Sequence, residues 1–162
     1  MAQPDILEIP ERFLAGMRQR MSLAEDKTSA LWRAFRPRVG EIAARADVNL
    51  YSIQDYGGIL DLSTFTPLTE FEKWAAVAVS PDSEIPDGME RGLIAAGKYA
   101  VFAYKGLPRD FAPMWNFIFR EWLPASGFEL DARSHFEVLG AGYDAFDPNS
   151  EEEIWVPVRT HA

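Results

Sequence analysis

The chain has 162 residues, of which 48% are hydrophobic and 25% charged, as expected for one globular domain with its own core. Its net charge of −9 opposes binding to nucleic-acid phosphates, and the absence of cysteine excludes disulfides, thiol catalysis and thiolate metal ligands. No apolar run approaches the ~20 residues of a membrane-spanning helix, and the N-terminus lacks a secretory signal pattern. We therefore expect a soluble, cytoplasmic protein that contacts neither nucleic acid nor membrane.

The first half of the sequence predicts an extended segment, a helix and two strands. Residues 6–16 have the composition of extended chain. Apolar residues then recur at helical spacing after Ser29, the expected N-cap, and Pro37 should interrupt this helix. Two strands are predicted at residues 50–53 and 72–77.

The second half repeats this order after a turn-rich segment at residues 80–88. Extended chain is predicted at 93–102, followed by a helix that Asp110 should cap. Two further strands are predicted at 135–139 and 153–158.

Aromatic landmarks recur at nearly the same spacing in the two halves. Trp32 on the first helix corresponds to Trp115 on the second, and Trp74 on a strand corresponds to Trp155. This repetition indicates an old internal duplication. A chance similarity between two ordinary α+β halves is the alternative.

The predicted architecture is therefore an α+β fold made of tandem duplicated β-α-β-β units. It forms one domain over residues 1–162, with pseudo-repeats at about 5–80 and 88–160. We expect one antiparallel sheet with both helices on one face and a central ligand cleft on the other, because repeat interfaces often form pockets.

Strand alternation places one carboxylate in that cleft. Phe136 and Val138 should pack under the helices, which sends Glu137 to the helix-free face. The same pattern puts the aliphatic positions of residues 153–158 under the helices and leaves Trp155 on the side of Glu137. A simple solvent-facing role for Glu137 is the alternative.

A carboxylate among aromatic rings would bind cations for two reasons. Desolvation raises its pKa and penalises its charge, which an arriving cation relieves. Aromatic faces add cation–π attraction of ~0.5–2 kcal/mol. The candidate ligand-binding residues are Glu137, Trp155, Trp115, Trp74, Trp32, Phe102 and Tyr51.

Several of these residues have simpler interpretations. Trp32 and Trp115 lie on amphipathic helices, where core packing is the alternative to a pocket role. Trp74 and Trp155 could be exposed strand residues. For Phe102 the alternation leaves open which face it occupies.

Metal and cofactor sites are not predicted. The two histidines, His135 and His161, show no metal-ligand spacing, and no phosphate-binding loop or nucleophile elbow is present. We expect His135 near the surface of its strand.

The second half contains several spaced motifs: Gly-Lys-Tyr-Ala-Val-Phe-Ala-Tyr-Lys-Gly at 97–106, Trp115, Glu-Trp-Leu-Pro-Ala-Ser-Gly at 121–127, His-Phe-Glu-Val at 135–138 and Glu-Ile-Trp-Val-Pro-Val at 153–158. Together they resemble the GyrI-like effector-binding domain, which also forms the ligand sensor of some AraC-type and MerR-type multidrug regulators. The motifs cover about 70 residues, and the first half matches the family more loosely.

The resemblance implies a tandem β-α-β-β fold with a central cavity, in which an acidic residue among aromatics binds cationic, often hydrophobic compounds. The Phe-Glu motif carries that role to Glu137, and the aromatic before Val-Pro-Val carries a pocket position to Trp155. Leu139 departs from the family, where many relatives have Tyr, and this difference can reshape the pocket wall. No DNA-binding domain accompanies the motifs, so a stand-alone sensor or scavenger is expected.

Three functions follow as hypotheses. The leading one is a non-enzymatic, stand-alone binding protein for cationic or amphipathic small molecules. The second is a hydrolase of small reactive electrophiles in the same cavity, in which Glu137 would be the general base. The third is an inhibitor that contacts a DNA-acting enzyme as a protein partner, which the acidic surface would suit.

Overall fold

Each half of the chain follows the predicted order of extended segment, helix and two strands, but each predicted extended segment forms two strands and a further short strand precedes the last two strands of the second half. The computed structural model describes residues 3–161, so the extreme ends of the predicted domain 1–162 lie outside the described residues. The strands are β1 (Asp5–Ile9), β2 (Arg12–Met21), β3 (Leu50–Asp55), β4 (Phe71–Val79), β5 (Glu90–Ile94), β6 (Gly97–Lys105), β7 (Phe128–Leu130), β8 (His135–Leu139) and β9 (Glu151–Thr160). The helices are α1 (Thr28–Phe35), α2 (Ala112–Asn116) and α3 (Leu123–Ala125), with 3-10 turns at Arg36–Glu41 and Pro108–Asp110 and π-helical turns at Phe117–Trp122.

The helix starts differ from the predicted caps. The first helix begins at Thr28, and the Asp26 carboxylate accepts its backbone N–H at 2.9 Å, so Ser29 is already inside the helix. Pro37 lies in the 3-10 turn that follows α1, as its missing N–H leads one to expect. Asp110 ends the 3-10 turn before α2 and makes no capping hydrogen bond.

One antiparallel sheet contains eight of the strands in the order β1-β6-β9-β8-β3-β4-β2-β5, and β7 pairs with β9. The first strand of each half crosses to the other half, because β1 pairs with β6 and β5 pairs with β2. In the middle, β3 pairs with β8 from Leu50↔Leu139 to Gln54↔His135. We call this pair of strands the central junction.

Both helical segments pack on the same side of the sheet, which we call the helix face. Leu31 and Phe35 of α1 join Val77 in the core over the first half. Ile118, from the segment between α2 and α3, joins Phe102 in the core over the second half. The central junction therefore lies between two separate hydrophobic cores. No helix within residues 3–161 is long and apolar enough to cross a membrane.

The opposite side of the sheet, the helix-free face, is also buried. Phe136 is 0% and Trp155 4% exposed there. The Arg12 guanidinium carbon lies 5.1 Å from the centre of the Trp155 ring. Four strand spacings separate β2 from β9, which is about 19 Å in a flat sheet, so the sheet must curve toward this face. Curvature rather than a helical layer buries these residues.

The predicted α+β fold, with an antiparallel sheet and helices on one face, is confirmed. The expected cleft on the helix-free face is wrong, because side chains from seven strands fill that side as a continuous core. The polar residues of the central junction lie on the other side.

Candidate functional site

Glu137 lies on the helix face, in the middle of the central junction. Its neighbours in register are Ile154 on β9 and Ser52 on β3, and Ser52 faces Ala75 on β4. Ile154 belongs to the core of the second half and Ala75 to the core of the first. The carboxylate therefore occupies a row of side chains that connects the two cores.

The prediction that Glu137 and Trp155 share a face is wrong. The antiparallel register pairs Trp155 with Phe136, and both belong to the core of the helix-free face together with Val138. Glu137 and Leu139 point to the helix face instead. Because β8 carries apolar residues on both sides, alternation alone does not reveal which side faces the helices.

The Glu137 carboxylate is half-buried and weakly compensated. Gln54 Nε2 donates one hydrogen bond to its Oε1 atom at 3.1 Å. Burial raises the pKa of the Glu137 carboxyl, while the positive charge of Lys73 and the hydrogen bond from Gln54 oppose that rise. Desolvation is the largest cause, so an added positive charge would stabilise the ionised form.

A second carboxylate, that of Glu152, lies close to the first. Glu152 on β9 is in register with Leu139 on β8. It lies two residues before Ile154, the neighbour of Glu137, and therefore points to the same face. Burial and the charge of Glu137 raise the pKa of Glu152 to about 7, against a hydrogen bond from Tyr143. Burial, Glu152 and Glu137 likewise raise the pKa of the Tyr143 hydroxyl. Negative charge is therefore concentrated where water is scarce.

Lys73 brings the positive charge of this cluster. It lies on β4 in register with Gln54 and is 6% exposed. Its charge lowers the pKa of both Glu137 and Glu152. Within residues 3–161 Lys73 forms no salt bridge, so neither carboxylate is neutralised by direct contact.

Aromatic rings line one end of the charged cluster. His135 is 6% exposed, so its predicted position near the surface is wrong. The centre of its ring lies 5.1 Å from that of Tyr56 and 6.0 Å from that of Phe119. The ring centres of Phe119 and Trp115 lie 4.8 Å apart. Burial lowers the pKa of His135 to about 3, so the imidazole is neutral. Its buried Nε2 atom has no hydrogen-bond partner among the described residues.

A surface groove reaches one of these rings, that of Tyr56. It has a volume of about 140 Å3, and its lining also includes Phe71 and the charged side chains of Arg20, Asp55, Glu70 and Glu72. Burial, followed by the charge of Glu137, raises the pKa of the Tyr56 hydroxyl, and the Tyr56 ring contacts that of His135 beside the cluster. A larger groove, of about 320 Å3, lies against α1 and is lined by Leu31 and Glu90.

Two of the remaining predicted residues pack in the cores of the helix face. Phe102 is 1% exposed and meets the Trp122 ring edge-on at 5.1 Å. Trp32 lies on α1, 6.0 Å from the Phe35 ring. These contacts favour the core-packing interpretation for both rings.

Three other predicted residues, Trp155, Trp74 and Tyr51, lie on the helix-free face. The rings of Trp155 and Phe136 stack with centres 5.1 Å apart. The sheet separates this group from Glu137, so the structure does not bring them together in one pocket.

Tyr51 is held in place by polar contacts. Its hydroxyl donates to Asp47 at 2.6 Å and accepts from Arg12 at 3.3 Å. Burial, followed by Asp47, raises the pKa of Tyr51 to about 12. These contacts fix the ring within the protein.

Sequence reasoning missed three residues of the cluster: Lys73, Glu152 and Tyr143. The signal for Lys73 was its position between Phe71 and Ala75 on the inward side of a strand, where a lysine is unusual. Tyr143 follows β8 in an irregular segment, so no periodicity could place it.

Chemically, the cluster suits the binding of a positive charge. Two carboxylates in a desolvated position attract cations, and the rings beside them offer apolar contact. The ionised carboxylate of a group with a raised pKa is also a stronger base toward water, and accepting a proton from water is the step that the hydrolase hypothesis requires of Glu137.

Comparison with known proteins identifies the family of the chain. The chain matches the family described as GyrI-like small molecule binding domain over residues 2–159. The transcriptional regulator BrlR of Pseudomonas aeruginosa is 31% identical over 154 residues, which are 94% of this chain and 54% of BrlR. A DNA gyrase inhibitor of Erwinia billingiae is 34% identical over 67 residues, 40% of this chain and 43% of that protein. The chain thus spans about half the length of the curated relatives it matches.

A similar solved structure is that of SAV2435 bound to tetraphenylphosphonium. It superimposes with a TM-score of 0.71 over 98% of this chain and 94% of that one, at 15% sequence identity. At this identity the similarity establishes a common fold.

Proposed function

Since the chain belongs to the family of GyrI-like small molecule binding domains, we propose that it binds lipophilic organic cations at the central junction, with Glu137 as the charge partner. The observation that carries this proposal is the position of Glu137. Its carboxylate lies on the helix face between two hydrophobic cores and, among residues 3–161, accepts a side-chain hydrogen bond from Gln54 alone.

The electrostatics of the cluster favour a cation over an anion or a neutral compound. Burial raises the pKa of Glu137, which means that the ionised carboxylate lacks stabilising partners. A bound cation would supply such a partner in an environment where Coulomb attraction is stronger than in water. The second carboxylate, Glu152, adds to this attraction.

The aromatic end of the cluster favours a ligand with large apolar groups. The rings of Tyr56 and Phe119 both contact the His135 ring, and the Trp115 ring contacts Phe119. Such rings attract cationic or flat groups without requiring one particular shape. The complex of SAV2435 with tetraphenylphosphonium, a lipophilic cation, supports this ligand class for the shared fold.

The test is a calorimetric titration with tetraphenylphosphonium. The Glu137→Gln variant should lose roughly tenfold or more in affinity, because it removes the charge and keeps the size of the side chain. Unchanged affinity in this variant would overturn the proposal.

Glu153→Gln is the matched control. Glu153 precedes Ile154, the neighbour of Glu137, but points to the helix-free face, where it accepts a hydrogen bond from Trp155 Nε1 at 3.2 Å. The control removes the same charge at a similar place in the sequence, and its affinity should stay within about twofold of wild type. Equal losses in both variants would show that net charge, and not a site at Glu137, governs binding.

A further inference from the structure

The lysine inside the cluster is an unusual feature of the central part of the sheet. Lys73 is 6% exposed and lies in register with Gln54, which donates to Glu137. Burying an ammonium group is costly unless opposite charges compensate it. Glu137 and Glu152 are the carboxylates whose ionisation its charge affects.

We propose that Lys73 is a built-in cation of the binding site, and that its charge sets how many positive charges a ligand of this site carries. The proposal rests on the proposed function, since it assumes that cations bind beside Glu137. It adds a residue that determines selectivity by repelling ligands.

The charge balance of the cluster leads to this conclusion. When both carboxylates are ionised, which for Glu152 requires a pH above its pKa of about 7, two carboxylates and one ammonium leave one net negative charge, which a single positive charge on a ligand neutralises. A doubly charged ligand would leave an excess of positive charge in a desolvated place, at a cost in free energy. The other titratable groups that face the cluster are the hydroxyls of Tyr56 and Tyr143 and the imidazole of His135, all of them neutral at pH 7.

The position of Lys73 also allows it to repel a cationic ligand without blocking the two carboxylates. Its charge acts on Glu137 and on Glu152, yet it forms no salt bridge with either in the described part of the chain. Both carboxylates therefore keep acceptor oxygens available for a ligand. Lys73 lowers the affinity for every cation, and lowers it more for dications.

The experiment compares Lys73→Met with wild type by titration of three probes. These are tetraphenylphosphonium as the monocation, methyl viologen as the dication and triphenylphosphine oxide as the neutral compound. Methionine keeps an unbranched chain of similar volume, so packing is preserved while the charge is removed. We expect roughly tenfold tighter binding of the monocation, a larger gain for the dication and no change for the neutral probe.

Two further variants control for side-chain shape and folding. Lys73→Arg keeps the charge and should retain the wild-type preference for the monocation. Lys73→Gln repeats the test with another neutral side chain if the methionine variant does not give a cooperative thermal transition.

The outcomes separate this inference from the proposed function. If Glu137→Gln weakens tetraphenylphosphonium binding but Lys73→Met does not strengthen it, the role of Lys73 is wrong and the cation site remains. An equal gain for triphenylphosphine oxide would also contradict a charge effect. Failure of tetraphenylphosphonium to bind either wild type or Lys73→Met would overturn both proposals.

Discussion

The two faces of the central sheet differ in what they do with buried polar and aromatic groups. On the helix-free face the Trp155 and Phe136 rings stack, and the Arg12 guanidinium lies 5.1 Å from the centre of the Trp155 ring. On the helix face Lys73 is buried and Glu137 half-buried, and neither forms a salt bridge among residues 3–161. On the helix-free face the aromatic and charged groups contact one another, whereas on the helix face the charge is left for a ligand to compensate.

This difference shows that aromatic content alone does not mark a binding site. Stacked rings that fill space stabilise the fold. A site is marked instead by polar groups that remain poorly compensated, such as the carboxylate of Glu137 and the Nε2 atom of His135, which has no hydrogen-bond partner in the described part of the chain.

The largest effect should come from removing the stacked ring. Trp155→Ala is expected to lower the free energy of unfolding by about 3–5 kcal/mol, because the side chain is 4% exposed and its loss leaves a cavity. Trp115→Ala, in a half-buried position on α2, should cost about 1–2 kcal/mol and weaken tetraphenylphosphonium binding. Urea denaturation and titration measure the two effects. If Trp155→Ala abolished tetraphenylphosphonium binding with little loss of stability, the assignment of Trp155 to the core and not to the ligand site would be wrong.

An intermediate effect should appear in the pH dependence of stability. The pKa of Glu152 is raised from 4.5 to about 7 in the folded protein. Its stabilising contribution is therefore complete below pH 4.5 and is lost as the pH rises through 7. The free energy of unfolding of Glu152→Gln, taken relative to that of wild type, should increase by about 1–2 kcal/mol between pH 5 and pH 8. This corresponds to a relative rise in Tm of several degrees.

The matched comparison at each pH is necessary because His135 acts in the opposite direction. Its pKa is lowered from 6.5 to about 3, so its contribution is complete above pH 6.5 and is lost as the pH falls. This term is common to wild type and Glu152→Gln and cancels in the difference. A difference in Tm that does not change between pH 5 and pH 8 would contradict the assignment to Glu152.

The smallest effect concerns two arginines over tryptophan rings. Arg12→Met removes a guanidinium 5.1 Å from Trp155 and its hydrogen bond to Tyr51, and should cost about 1 kcal/mol. Arg18→Met removes an exposed guanidinium 5.8 Å from Trp74 and should cost less than about 0.5 kcal/mol. Equal losses in urea denaturation would mean that burial of the helix-free face does not depend on Arg12.

The order of elements and the family could be predicted from the sequence because both depend on local pattern. The strand predicted at residues 135–139 has those bounds in the structure, and the family resemblance is confirmed over residues 2–159. Turn residues and the amphipathic spacing around Trp115 carry this information within a few residues of chain.

The composition of the cluster could not be predicted in this way, because it depends on register between distant strands. Glu137 reaches its side of the sheet through pairing with Ser52 and Ile154, and the sequence of β8 is apolar on both faces. Lys73 joins the cluster from β4, two strands away, which no local pattern reveals. Strand alternation predicted the correct face for Trp155, but it wrongly placed Glu137 on that same face.

The exchange of β1 and β5 between the halves has a consequence for folding. β1 starts at Asp5 yet completes its hydrogen bonds with β6, about ninety residues later in the chain, while β5 returns to β2. Contacts of such long range close large loops, which slows folding and couples the halves into one cooperative unit. Either half in isolation would retain one strand without its partner and two uncovered sheet edges, one where the crossing strand is lost and one at the central junction. Such edges promote strand swapping between copies.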